Sequence, residues 1–404
     1  MKLAYCNQQG ELFEHPTLAP LGSSGGELWE VLEEDLLPLP PGATLTALPG
    51  RWAVGMTPDG EARQADGWAV GALLPAGYLR LLVPAGIADD EKRLPLFGYT
   101  AVCFKDGQLM AAALKIDSGD RWAPAYFNLP ELDSLIQKKK KQHPDNRLVE
   151  HLAHCAKEYQ CFTAQNLFYQ RWEAALPVSS RCNASCVGCI SLQSSDCCPS
   201  PQARIDFTPS LEEMVELAAC HLEQGTEPMV SGGQGCEGDP LLEADLWAEA
   251  IREIRKRTAR GKINLNTNGG DTKGLEKVVR AGLDAVRVGL VSLNPKLYAA
   301  YHRPSYDFAN VLASLKLAAE GGAYTSINLL TFPGITDREG ELACLIEAVK
   351  KTRLRQLQLR NLNIDPLVME GFLPYVEGEA LGFKEFLERL HNACPELEIC
   401  GWSR

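Results

Sequence analysis

The chain has 404 residues, 45% of them hydrophobic, which by length and composition is enough for about two or three globular domains with full-sized cores. Its 52 acidic residues outnumber 40 basic ones, and the resulting net charge of -12 repels phosphates, so nucleic acid is disfavoured as a partner. No N-terminal stretch joins a basic start, an apolar run and a small-residue cleavage site, and no window reaches the roughly 18 apolar residues of a membrane span; both predict a cytoplasmic protein with no membrane partner.

From residue 1 to 127, Pro and Gly break the chain roughly every 8 to 12 residues, and the runs between them are short and apolar or alternating. This predicts a mostly β N-terminal domain, with a hairpin turning at Asp106-Gly107 inside "TAVCFKDGQLMAAALKI". Residues 128–172 lose Gly, and "NRLVEHLAHCAKEYQCFTAQNLFYQRW" carries apolar residues at helical spacing, which predicts a helical connector. The one dense basic run, Lys138 to Lys141, reads as a solvated helix end.

Residues 173–366 alternate short apolar strands with longer amphipathic helices. The strands are "AALPVSS", "EPMVSGG", "KINLNTN", "LDAVRVGLV", "YTSINLLTF" and "LRQLQLRNL". Ser210 with Glu213, and Thr336 with Glu339, each fit a capping box at a helix start. Six strand-helix units in series predict an α/β fold with a parallel sheet, either curled into a barrel or partial barrel or left open and doubly wound. In each case ligands bind at the carboxyl ends of the strands. Residues 367–404 form a helix and strand extension in which "ELEIC" buries Cys400 as a small apolar residue.

Fourteen cysteines in a large chain without an export signal point to a metal or catalytic site. Three of them, Cys182, Cys186 and Cys189, form a C-x3-C-x2-C pattern just past the first strand, with no histidine close in sequence to substitute. Thiolates at this spacing suit an iron-sulfur cluster or zinc. Structural zinc wants four ligands and the loop supplies three, although Cys197 or Cys198 could complete the set.

A C-x3-C-x2-C loop after the first strand of a six-unit α/β chain resembles the radical S-adenosylmethionine (radical SAM) superfamily over about residues 174–361. The resemblance implies a partial (β/α)6 barrel and a [4Fe-4S] cluster on the three cysteines. S-adenosylmethionine then chelates the open iron and is cleaved reductively to a 5'-deoxyadenosyl radical, with reduced flavodoxin or ferredoxin as electron donor. "SGGQGCEGDPL" resembles the family's Gly-Gly-Glu-Pro motif, with residues inserted around Cys236 and Asp239 where Glu is usual, and it implies contacts to the methionine amino group from Gly233, Gly235 or Glu237. By the same resemblance Asn268 ends the third strand at the site, Ser292 or Asn294 bonds the ribose, and Arg303 pairs with the methionine carboxylate. Asn328 and Arg360 stand where relatives cradle adenine.

The substrate that this family places at C5' is a peptide, a protein or a small metabolite. Arg360, Asn361, Asn363 and Asp365 are candidates to line its cavity. A second cluster could be assembled from Cys155, Cys161, Cys197 and Cys198. Two alternatives stand beside this reading: a methylase acting on RNA with Cys400 as methyl carrier, and a non-catalytic adaptor stabilised by zinc or a cluster.

Overall fold

The computed structural model describes residues 1–89, 93–94, 96–192 and 200–401, so Cys197 and Cys198 lie outside the described residues. The N-terminal domain is β-rich, as expected: twelve strands among the described residues form an antiparallel assembly. Its longest pair, Thr44–Met56 and Ala62–Leu73, is antiparallel, with the register shifting between Ala47 and Val54. The hairpin Tyr99–Lys105/Gln108–Lys115 turns at Asp106 and Gly107, both at positive φ (+52° and +76°), the backbone that a two-residue turn between right-twisted strands requires.

The connector folds as three helices, α1 (Leu132–Gln142), α2 (Arg147–Lys157) and α3 (Phe162–Tyr169). Asn146 starts α2 by accepting the N–H of Leu148 at 3.1 Å, and the helix buries Leu148, Val149, Leu152 and Ala156 in the same core as the following sheet. The lysine run does end α1, but Lys139 is buried with Nζ 3.5 Å from Sγ of Cys220. Its neighbour Lys140 pairs with Glu150.

Seven parallel strands then follow in sequential order: β1 (Arg171–Ala175), β2 (Thr226–Gly232), β3 (Lys262–Thr267), β4 (Ala285–Leu290), β5 (Tyr324–Thr331), β6 (Gln356–Asn361) and β7 (Glu398–Cys400). Five of them match the expected strands; the first was expected over 174–180 but runs from Arg171 to Ala175, sharing only Ala174 and Ala175, and the terminal strand adds a seventh to the half-barrel, pairing Cys400 with Gln358. Helices α4 (Leu211–Gln224), α5 (Ala244–Arg257), α6 (Thr272–Arg280), α7 (Pro295–His302), α8 (Phe308–Glu320), α9 (Glu339–Thr352) and α10 (Phe383–Ala393) fill the intervals. No helix is long and apolar enough to cross a membrane.

The strands alternate with period two. Ile263, Leu265, Val286, Val288, Leu357 and Leu359 join the apolar cores under the helices. Asn264, Asn266, Arg287 and Gln358 point the other way, so the concave face is polar, and its buried charge is met by an Arg287–Glu173 ion pair at 3.1 Å.

Ser210 and Glu213 form the expected capping box on α4, Glu213 Oε2 accepting the Ser210 N–H at 2.7 Å. The second expected box is corrected. Helix α9 starts at Glu339 after Arg338, with no side-chain cap, because the Thr336 hydroxyl accepts the Phe332 N–H at 2.9 Å inside the preceding turn.

The β-domain sits against the carboxyl end of β6. Asn361 Nδ2 donates to the Tyr78 carbonyl while its Oδ1 accepts from the Arg80 N–H, both at 2.9 Å. A buried Arg51–Asp365 pair at 2.9 Å adds a second tie.

Candidate cofactor site at the strand ends

Parallel strands end with unpaired backbone groups and a ring of loops, which is where sites form in such sheets. A cavity of about 400 Å³ lies there, and the thiols of Cys182, Cys186 and Cys189 border it on the loop after β1. The loop is strapped to the end of α7: the N–H groups of Ser185 and Val187 donate to the carbonyls of His302 and Tyr301, both at 3.0 Å, and Ser305 N–H donates to Asn183 O at 2.9 Å. Gly188 permits this approach, since a Cβ there would stand 2.5 Å from the Tyr301 hydroxyl.

Each thiol has a polar neighbour. His302 Nδ1 lies 3.1 Å from Cys186 Sγ, Asn268 Nδ2 3.8 Å from Cys182 Sγ, and Arg204 Nη2 3.6 Å from Cys189 Sγ. Burial pushes the Cys186 thiol up to about 12, so a thiolate there requires a bound cation to hold it. Burial also pulls His302 down to about 3, which keeps its ring neutral.

On the opposite wall is the glycine-rich loop after β2. Glu237 is buried at its centre, one oxygen accepting from Val178 N–H (2.8 Å) and Ser179 N–H (3.0 Å), the other from Gln234 N–H (3.0 Å) and Gly233 N–H. Burial pushes this carboxyl up to about 7 against the pull of those donors. Asp239, standing where the family motif has Glu, accepts from Thr267 Oγ1 (2.9 Å) and Asn268 N–H (2.7 Å), so it joins the loop to the end of β3. Gly233 is at φ +74°, and a Cβ there would fall 1.7 Å from the Asn266 carbonyl oxygen.

Of the residues expected at the site, the three cysteines, Gly233, Gly235, Glu237, Asn268, Asn328, Asn361 and Asn363 border the cavity. Others are placed elsewhere. Arg303 is an exposed residue closing α7 in a left-handed conformation at φ +46°. Ser292 is buried with its hydroxyl donating to Glu341, and Asn294 caps α7 and donates to the Tyr375 carbonyl at 3.1 Å. Arg360 is partly buried on the polar face of the half-barrel, near Arg287 and Glu173. Asp365 is occupied by Arg51 and by the N–H of Leu94 at 2.7 Å. Sequence reasoning missed His302, Asn266, Arg287 and Gly289. The first was within reach, because "YHRP" carries His302 directly beside the arginine that was chosen.

Residues 176–345 match the family model described as the radical SAM superfamily. The chain carries a radical SAM domain. Its similarity to curated proteins includes 30% identity over 170 residues with GTP 3',8-cyclase of Petrotoga mobilis, covering 41% of this chain and 48% of that protein. It is 27% identical over 198 residues to a probable GTP 3',8-cyclase of Methanosarcina acetivorans, covering 47% and 55%. The chain thus spans about half the length of the curated relatives it matches. Among solved structures, SuiB of Streptococcus suis is 12% identical with a TM-score of 0.41, covering 77% of this chain and 71% of that one. A radical SAM methyltransferase from Sphaerobacter thermophilus is 13% identical with a TM-score of 0.41, covering 56% and 65%.

The cofactors of a radical SAM domain are a [4Fe-4S] cluster and S-adenosylmethionine, and the residues present fit them. Three thiols face one cavity, which suits a cluster with one open iron. The buried Oδ1 of Asn328 on the far wall lacks a partner, and an acceptor there suits a ligand donor group. At Gly289, another lining residue, an added Cβ would meet nothing within 4 Å, so this wall is held open.

Proposed function

We propose that the chain is a radical SAM enzyme that reductively cleaves S-adenosylmethionine and abstracts hydrogen from a compact polar group of a small metabolite, a peptide or a protein. The observation that carries this reading is the convergence of Cys182, Cys186 and Cys189 on a cavity whose other walls are the Gly233–Glu237 loop and the strand-end amides. When bound, the cluster supplies one electron, received from a flavodoxin- or ferredoxin-type donor, to the carbon-sulfur bond of S-adenosylmethionine.

The protein's own part is to hold and to exclude. The cysteines anchor the metal, and His302, Asn268 and Arg204 direct N–H groups at their sulfurs. The Glu237 carboxylate gathers four backbone N–H groups and so fixes the glycine loop with open main chain toward the cavity. Asn328 and Asn363 offer amides that orient a neutral or hydrogen-bonding group without a strong charge, while Asn266 and Asn361 are held by Gly232, Arg287, Tyr78 and Arg80 and shape the wall. The β-domain backs this face through Tyr78 and Arg80, keeping water from the reacting carbon. GTP is the first substrate to test, because both curated relatives named above carry it in their names.

The test is anaerobic reconstitution followed by dithionite and S-adenosylmethionine, with 5'-deoxyadenosine measured by mass spectrometry. The parent should bind about four iron atoms at this site and release deoxyadenosine. The Cys182→Ala/Cys186→Ala/Cys189→Ala variant should fold, lose that iron and release none. Deoxyadenosine at the parent rate from the triple variant would end this reading.

A further inference from the structure

The glycine-rich loop contains an insertion around Cys236 that the cofactor site leaves unexplained, since this side chain points away from the cavity into a core. There it meets two residues of α2. His151 and Cys155 are four apart, on one face of the helix, with Nε2 of His151 3.6 Å from Sγ of Cys155. The ligand atoms of His151, Cys155 and Cys236 all lie within 4.8 Å of one another. Among the described residues this is the one group of histidine, cysteine and carboxylate side chains that meets such spacing. Cys155 and Cys236 are 1% and 4% exposed, whereas His151 is half-buried.

We propose that His151, Cys155 and Cys236 bind one zinc ion, which clamps the helical connector to the glycine-rich loop of the cofactor site. A tetrahedral ion with Zn–S near 2.3 Å and Zn–N near 2.0 Å sets its ligand atoms roughly 3.5 to 3.8 Å apart; the His151–Cys155 separation of 3.6 Å has that spacing, and Cys236 lies within 4.8 Å of both. Two thiolates and an imidazole are zinc's preferred donors, and the buried setting suits a structural site. A cubane needs its thiolates spread around the corners of a larger body, so the compact trio favours a single ion. Cys161 is near in the chain, its N–H donating to the Cys155 carbonyl at 3.0 Å, but its thiol stands 3.3 Å from the Thr163 hydroxyl and is not one of the three ligands.

The connector and the loop are also joined by Thr163 at the start of α3, which donates to Gln234 at 3.2 Å, while the Cys236 backbone carbonyl accepts the Ile205 N–H from the segment before α4 at 2.7 Å. An ion at Cys236 therefore fixes the loop from behind, between Gly235 and Glu237, both of which border the cavity. This inference does not depend on the proposed reaction.

Metal analysis of the full-length chain tests it. As purified, the protein should hold about one zinc per chain that survives dialysis against a chelator, with sulfur and nitrogen neighbours at the zinc absorption edge. His151→Ala, a change at a half-buried position, and Cys155→Ser should each lose most of that zinc while iron on the Cys182 loop is retained. The triple alanine variant of that loop should show the reverse. Three results would overturn the proposal: zinc unaffected by both substitutions, iron and sulfide in place of zinc that disappear with Cys155→Ser, or a Cys155–Cys236 disulfide in metal-free protein.

Discussion

The Nδ1 of His302 stands 3.1 Å from Cys186 Sγ, and the Val291 N–H, 3.1 Å from Nε2, decides which nitrogen carries the proton. Since Nε2 accepts, Nδ1 must be the N–H that faces the sulfur. Tyr298 stacks on the ring at 4.4 Å between centroids and holds its orientation. An N–H donor on a ligand sulfur stabilises the more negative, reduced cluster, so it raises the reduction potential. His302→Phe keeps the ring and removes the donor. With about 1 kcal/mol of differential hydrogen bonding, equivalent to about 40 mV for one electron, the midpoint should fall by that order in an EPR-monitored redox titration. His302→Gln, which restores an N–H, should recover part of the shift. An unmoved potential in folded His302→Phe protein would reduce the residue to a packing role.

Arg303 follows directly in the chain and has a different environment. Its left-handed backbone at φ +46° closes α7, and its side chain is exposed. Glycine carries no penalty in that conformation, so Arg303→Gly should gain up to about 1 kcal/mol in a denaturant titration. Arg303→Ala should leave S-adenosylmethionine affinity within about twofold, as for an exposed charge. A tenfold or greater loss of affinity would show that the guanidinium reaches the ligand.

The parts of this fold written in local pattern were legible in the sequence. Strands such as Ala285–Leu290, the Asp106-Gly107 hairpin and the Ser210 capping box each follow from residues adjacent in the chain. The cysteine loop was equally plain, because three ligands fall within eight residues. What escaped were contacts between distant segments. His302 meets Cys186 across 116 residues, and His151 and Cys155 meet Cys236 only because α2 packs behind the β2 loop. Neither is marked by periodicity. Thr336 and Asp337 show the complementary failure: the local signal for a cap was present, but the Phe332 and Gly334 N–H groups of the preceding turn took both side chains.

Glu341 provides the pH-dependent prediction. It is 5% exposed on α9, accepts one hydrogen bond from Ser292, and has no partner for Oε1. Burial pushes its carboxyl from the ordinary 4.5 up to about 7. Because the folded value lies above the unfolded one, the stability this group contributes is fully present below about pH 4.5 and is lost as pH rises through about 7. The loss is at most about 3 kcal/mol, from a shift of roughly two and a half pKa units. Glu341→Gln keeps an acceptor for Ser292 but never ionises. The variant should therefore nearly match the parent near pH 4 and exceed it by about 1 to 3 kcal/mol near pH 8, measured by urea unfolding at both values. Glu237 and Asp337, whose carboxyls burial also raises, and His221 and His302, which burial lowers, titrate in both proteins, so the difference isolates Glu341. An equal gap at the two pH values would mean that Glu341 carries the same charge across the range and that its burial is compensated within the fold.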